Sequence, residues 1–252
     1  MNPTLDILTR HRSIRKFDPK PVDPDTLTAL VKAAQCASTS HHVQAYTIIQ
    51  VTDTENRQAI ADLAGPQPWV AQAPVFLVFC ADLTRLVQAA GRHGIPPETG
   101  WAEQLIVATV DTALMAQTLM IGAESMGLGG VFIGGIRNDP ETVSRLLHIP
   151  EQAYPVFGMC LGYPAHDPGV KPRFPEAMVL RQDTFYGPGG VPDPARDKTD
   201  MEAFDATMQD YYQHRATNAK DRNWTRQIGE FTGNVIRPGM KSFLEKQGFF
   251  RK

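Results

Sequence analysis

Cysteine is scarce: Cys36, Cys80 and Cys160 are far apart, odd in number and set in apolar surroundings. Such a set makes no disulfide framework, and without a CxxC pair or Cys/His spacing it makes no structural metal site. The adjacent His41-His42 pair adds too little to build one. All three are expected to be buried thiols in a reducing compartment. Charge of one sign is also missing, since 25 basic residues against 27 acidic ones leave a net −2. That argues against general affinity for nucleic acid, so basic residues carry information only where they cluster. No long apolar stretch occupies the opening MNPTLDILTR, and a cytoplasmic protein is expected. GxGxxG and Walker lysine-serine patterns are absent, which disfavours a Rossmann or P-loop nucleotide site.

One apolar run is long. Residues 105–123 hold a single formal charge, Asp111, and meet the length criterion for a membrane span. Asp111, Gln117 and several threonines interrupt the apolar surface, and no Lys or Arg flanks it closely. A helix buried in a protein core is the expected outcome, with no membrane.

Periodicity supplies the elements. A short opening helix is expected from about Thr4. A second, after Asp23-Pro24, carries Leu27, Leu30, Val31 and Ala34 at i, i+3, i+4, i+7 spacing. Strands are expected at Thr47–Val51, Val75–Cys80, Val131–Ile133 and Pro155–Leu161. Helices are expected from a Thr54 cap to Leu63, over a short turn at Pro66–Trp69, at about Trp101–Met126, and from Asn138-Asp139-Pro140 to Leu147. Gln88–Gly100, with three glycines and two prolines, reads as a loop, and Gly187–Pro194 links to a C-terminal helical region. Helices and strands in this order indicate a layered fold of both. At 252 residues the expectation is one structural domain: a core over 1–180, and an extension over 181–252 that packs on the core or a partner subunit.

Three stretches could bind a ligand. Arg10, Arg12, Arg15 and Lys16 place four full positive charges within eight positions, with His11 and Ser13 among them. Guanidinium forks and a hydroxyl suit phosphate, although most basic clusters are solvated turns. Ile14 and Phe17 interrupt the charges, so part of this stretch should face a core. The loop Ser38-Thr39-Ser40-His41-His42-Val43-Gln44 could hydrogen-bond a polar heterocycle or be a plain connection. Lys171 and Arg173, two apart between prolines, could converge on one anion at little conformational cost.

Taken together, HRSIRKF, STSHHVQ, DTALMAQTLMIGAESMGLGGVFIGGIRN, GYP followed by KPRFP, YYQHR and KQGF resemble the nitroreductase superfamily, in particular its oxygen-insensitive major nitroreductases and NADPH–FMN oxidoreductases. The resemblance covers essentially the whole chain. It implies a homodimeric α+β fold, a mixed central sheet wrapped by helices, with two FMN sites at the subunit interface. By the same resemblance His11, Arg12, Ser13, Lys171 and Arg173 serve the FMN phosphate. Arg15 approaches the edge of the ring where negative charge develops on reduction, and Thr39, Ser40 and Gln67 bond its polar parts. Phe132, Ile133, Gly134 and Gly135 lie along its face.

Arg215 and Lys220 are implied for NADPH, Lys220 keeping the charge of the family's arginine but not its fork. Arg237 and His42 are implied for the acceptor cavity, His42 standing where relatives can have an aromatic residue; Thr39 stands where many have serine. The implied activity is ping-pong, two-electron reduction of nitroaromatics and quinones, with no nucleophile or general base from the protein. A flavin reductase that releases reduced FMN, and a flavin-binding sensor or interaction module, are the alternatives.

Overall fold

Asn2 and Asp23 start the first two helices of the computed structural model, which describes residues 2–215 and 219–252. Asn2 Oδ1 accepts the Thr4 amide before α1 (Pro3–Thr9), and Asp23 Oδ1 accepts that of Asp25 before α2 (Pro24–Ala34). Each helix then opens on proline, whose missing N–H costs nothing in the first turn. The basic stretch between them runs extended beside Gly130, Ile14 N donating to Gly130 O at 2.9 Å. A 3-10 turn at Ser40–His42 leads into β1 (Tyr46–Gln50). Next come α3 (Thr54–Leu63), α4 (Pro68–Gln72), β2 (Val75–Asp82), α5 (Thr84–Arg92) and α6 (Ala102–Ser125). After them follow β3 (Gly129–Ile133), a 3-10 turn at Gly134–Asn138, α7 (Pro140–Leu146) and β4 (Ala153–Gly162). The remaining helices are α8 (Glu176–Val179), α9 (Pro194–His214), α10 (Trp224–Thr232) and α11 (Met240–Lys246).

By its contacts the chain divides into two compact units, Met1–Asp167 together with Arg237–Lys252, and Pro168–Ile236. In the first, the sheet runs in the order β1-β2-β4-β3 with antiparallel neighbours. Its parallel component is the isolated bridge Ser13–Gly130. All eight residues of β2 are buried, as the continuous apolar run 75–80 requires of a strand covered on both faces. Alternation sorts them. Phe76, Val78 and Cys80 pack with Ile60, Val70 and Val143 on one face, whereas Val75, Leu77 and Phe79 pack with Leu30, Met115, Leu119 and Met120 on the other. A third cluster joins Ala45, Ala81, Tyr154 and Val156 to Phe243 and Phe249 near the C-terminus.

By length and composition α6 could cross a membrane, yet Ala108, Asp111, Thr112, Met115, Ala116, Leu119, Met120 and Ala123 are buried along one side of it. Its other side presents Ile106, Val110 and Leu114, exposed to 56%, 48% and 44%. Gly127, at φ +76°, ends the descent into β3.

Three sequence expectations need correction. Residues 88–92 continue α5 rather than forming a loop: Leu83, Leu86 and Val87 make a short apolar stripe, and Gly91 is tolerated inside it because nothing crowds that position. Asp53, not Thr54, caps α3, its Oδ1 accepting the Asn56 amide at 2.8 Å. Cys36 is exposed, since α2 ends at Ala34 and the chain turns outward there.

The second unit is built on Phe204, Met208 and Tyr212 of α9. Phe174, from the proline-flanked basic segment, stacks 4.5 Å from Phe204 and 4.9 Å from Trp224. Asp193 caps α9 through the Arg196 amide, so this helix begins well before the tyrosines that reveal it in the sequence.

Candidate functional site

The basic stretch is half core and half donor. Ile14 is 2% exposed, and its side chain lies so close to Gly129 that any Cβ there would meet Ile14 Cγ1 at 2.6 Å. On either side of it the charges take different partners. His11 Nδ1 lies 2.7 Å from Glu124 Oε1 in the last turn of α6. Arg12 Nη1 donates to Arg10 O at 3.1 Å. Arg12 Nε sits 2.7 Å from Asp167 Oδ1 but off the line of a hydrogen bond, and it is buried with no bonded acceptor. A cavity of about 290 Å³ opens here between Arg10, Arg12, Glu124 and Gly127–Gly129.

Around the glycine turn the structure gathers Arg15, Gln67, Trp69 and Gly135. A Cβ on Gly135 would run into Ala64 O and stand 2.7 Å from Gln67 Nε2, so the backbone approaches there only as glycine. Gln67 is held from both ends, donating to Ala64 O at 2.6 Å and accepting from Trp69 Nε1 at 3.1 Å. The Arg15 guanidinium carbon lies 5.8 Å from the centre of the Trp69 ring. Phe132 packs edge-on to Phe157 at 5.1 Å, within the same strand-to-turn passage as Ile133 and Gly134.

Ser38, Thr39 and Ser40 line a second cavity of about 400 Å³ with α6 residues between Ile106 and Leu114. Asp111, buried among them, accepts the Ser40 and Ala45 amides at 3.0 and 3.2 Å. His41, His42 and Gln44 adopt φ of 48°, 59° and 50°, each a left-handed conformation that costs a non-glycine residue about 1–3 kcal/mol. Among the described residues, the hydroxyls of Ser13 and Thr39 have no protein partner.

A pair of cations lies at the end of the glycine turn. Arg137 donates to Val156 O, while Arg237, at φ 51°, donates from Nε to Asn138 Oδ1 at 3.0 Å. Burial, and then the charge of Arg237, lowers the Arg137 pKa from the usual arginine value.

In the second unit, Lys171 Nζ lies 5.4 Å from the Tyr212 ring centre, and the Arg215 guanidinium 5.6 Å from it and 6.0 Å from that of Tyr211. The Lys220 amide donates to Tyr212 O at 3.0 Å. Arg173 turns back, Nη1 donating to Lys171 O at 2.6 Å. Lys171, Arg215 and Lys220 thus gather at one pair of tyrosines, although the sequence resemblance distributes them between two ligands.

Glu124, Asp111, Trp69 and Arg137 escaped the reading of the sequence. Asp111 had a signal, as the single charge in an apolar run; the others are ordinary until the fold brings them in. No group of three or more His, Cys, Asp or Glu among the described residues could hold a metal ion.

Comparison with known proteins accounts for this arrangement over the whole chain. The nitroreductase family profile matches residues 8–163, and that of the nitroreductase family C-terminal domain matches residues 171–252. An oxygen-insensitive NADPH nitroreductase of Salmonella typhimurium is 39% identical over 249 residues, 99% of each chain. An FMN reductase (NADPH) of Bacillus subtilis is 39% identical over 251 residues, again 99% of each. The solved structure of B. megaterium NfrA1 superposes with a TM-score of 0.94 at 39% identity, covering 99% of this chain and 100% of its own. The antiparallel sheet, the long apolar helix and the glycine turn are therefore those of a family fold, and the chain belongs to the nitroreductase family.

Proposed function

We propose that this protein is an FMN-containing NADPH oxidoreductase that reduces nitroaromatics and quinones by two electrons in a ping-pong cycle, the oxidised nucleotide NADP+ leaving before the acceptor binds. Its relatives' names support the cofactor pair. The observation that carries the reading is the basic stretch held against the glycine-rich strand and its turn: Ser13, with Arg12 before it, is bridged to Gly130, and Arg15, Trp69 and Gln67 gather at Gly135. Guanidinium forks, a hydroxyl and closely approaching backbone suit a phosphorylated, polar, flat group.

When bound, FMN would supply the redox chemistry, two-electron transfer from NADPH to the acceptor. The protein's part is to hold and select. His11, Arg12 and Ser13 would hold the phosphate. Arg15 would balance negative charge on the reduced ring, and Gln67, fixed by Ala64 and Trp69, would present an amide that cannot turn away. Thr39 and Ser40 would bond its polar edge, and Phe132, Ile133, Gly134 and Gly135 would lie along its face. Arg215 and Lys220 would favour NADPH over NADH, and His42 and Arg237 would bound the acceptor. Protons for the reduced acceptor come from solvent.

We read the outward face of α6 as the contact with a second copy. Ile106, Val110 and Leu114 fall at i, i+4, i+8 and make one apolar stripe. An interface accounts for α6 as well as a membrane would, and use of NADPH suits the cytoplasm. The equal identity to an FMN reductase favours a second reading, in which free flavin is the acceptor.

One anaerobic cuvette tests the proposal. Flavin absorption bands in the purified protein, or after FMN addition, should bleach with NADPH and return with a nitroaromatic. Return with free FMN at comparable efficiency would favour the flavin reductase. A colourless protein that takes up no FMN would end both readings.

A further inference from the structure

Asp111 is 1% exposed in the middle of α6, and its two oxygens are used separately. Oδ1 accepts the Ser40 amide at 3.0 Å and Oδ2 the Ala45 amide at 3.2 Å. Between these anchors the chain passes through three left-handed residues, His41, His42 and Gln44, with no glycine. Backbone of this kind persists only where its surroundings fix it. The other ties are local or at one end: Ser40 Oγ reaches His41 Nδ1 at 3.2 Å, Gln44 Nε2 reaches His42 Nε2 at 3.3 Å and Val43 N donates to Ser40 O at 2.9 Å, all within the segment, while Asp82 N donates to Ala45 O at 2.9 Å and fixes its far end to β2 alone. The carboxylate ties both of its ends to the helix. Neutral Asn could not, because it has one acceptor oxygen, and its Nδ2 would meet the second amide donor to donor. The same carboxylate lines the cavity bounded by Ser38, Thr39 and Ser40.

We propose that Asp111 is a positioning residue: it clamps the 40–45 segment in its left-handed form and thereby sets where Thr39, Ser40 and His42 stand, acting on flavin and acceptor without touching either. The consequence for binding rests on the function proposed above; the clamp itself does not.

The test is Asp111→Asn in the FMN-loaded protein, with Met115→Ala as a control. Met115 is buried on the same helix but packs on the sheet, so it reports plain loss of stability. Amide exchange at Ser40 and Ala45, FMN affinity by fluorescence titration, and KM and kcat for a nitroaromatic are measured for each. Asp111→Asn should speed exchange at one or both amides, weaken FMN by about ten- to a hundred-fold and raise KM more than it lowers kcat. Met115→Ala should lower the melting temperature and leave the KM alone. Gln44→Gly, which accepts φ of 50° without strain, should restore part of the loss in the double variant, and it is the background to use should Asp111→Asn alone not fold. Unchanged exchange, or a KM that moves equally in Met115→Ala, would overturn the proposal. Wild-type protein that takes up no FMN would overturn the flavin reading instead, and exchange at Ser40 and Ala45 would then decide for or against the clamp.

Discussion

His11 Nδ1 and Glu124 Oε1 stand 2.7 Å apart, joining the basic stretch to the last turn of α6 across 113 positions of sequence. The link orients an imidazole next to the Arg12 guanidinium, whose Nε has no bonded acceptor. His11→Ala and Arg12→Ala should each purify folded but depleted in flavin. One charge-assisted bond to phosphate contributes about 1.5–3 kcal/mol, so FMN affinity should fall roughly ten- to a hundred-fold. The ratio of flavin to protein absorbance checks this, and full occupancy in Arg12→Ala would remove that residue from the phosphate site.

Asp82, at the end of β2, gives the fold an acid-sensitive joint. Burial alone would raise its carboxyl, but bonds from Thr47 Oγ1 (2.6 Å), Thr84 Oγ1 (2.6 Å) and Thr84 N (2.8 Å), with Arg85 nearby, outweigh that and hold it below the ordinary value. A carboxyl depressed by folding stabilises the protein above its unfolded pKa, about 3.9. That contribution fades as pH falls through the lower folded value. Asp82→Asn should therefore be less stable than wild type at pH 7, by about 1–3 kcal/mol. The gap should narrow below pH 4, as urea midpoints across that range would record.

How far the sequence leads differs from residue to residue. Isoleucine among arginines announced that the basic stretch has a buried side, and Ile14 is buried. The run 75–80 announced a central strand because nothing polar interrupts it. The His11–Glu124 pair could not be read, because strand register and helix rotation decide which distant side chains meet. Nor could the left-handed loop: glycine is the usual mark of positive φ, and His41, His42 and Gln44 carry none. At α5 the glycines and prolines that end the helix also masked its last turn. The family motifs imply ligand-binding positions that periodicity does not reach; one of them begins at Asp111 but implies no role for it, because its partners lie in a loop far away in sequence.

The thiols should separate cleanly. Burial pushes Cys80 and Cys160 up to about 12, so at pH 8 both stay protonated, while Cys36 is exposed. Iodoacetamide should modify Cys36 alone in the native protein and all three in denaturant, as peptide mass spectrometry would show. Early labelling of Cys160 would contradict its buried place in β4.

The same substitution should act oppositely at two glycines. Gly135→Ala forces a methyl group against Ala64 O and Gln67, and should destabilise by about 1–3 kcal/mol. Gly91→Ala, in α5 with nothing within 4 Å of the new atom, should stabilise by about 0.5–1 kcal/mol. Melting temperatures of the two variants give the signs directly.

Val110→Glu places a charge in the middle of the outward stripe of α6. Light scattering should find a dimer for wild type and a monomer, or a dimer weakened at least ten-fold, for the variant. A wild-type monomer at micromolar concentration would remove the interface reading of that face.

Phe243 and Phe249 complete the cluster around Ala45, Ala81 and Tyr154, so the first unit takes its final core residues from a segment that follows the second unit in the chain. During synthesis, the strands and α6 are made long before the side chains that close their core. Nascent chains lacking Phe243 should stay loosely packed and protease-sensitive, however complete their secondary structure. For this unit, native packing is a late event of synthesis, with Pro168–Ile236 already made while the core waits.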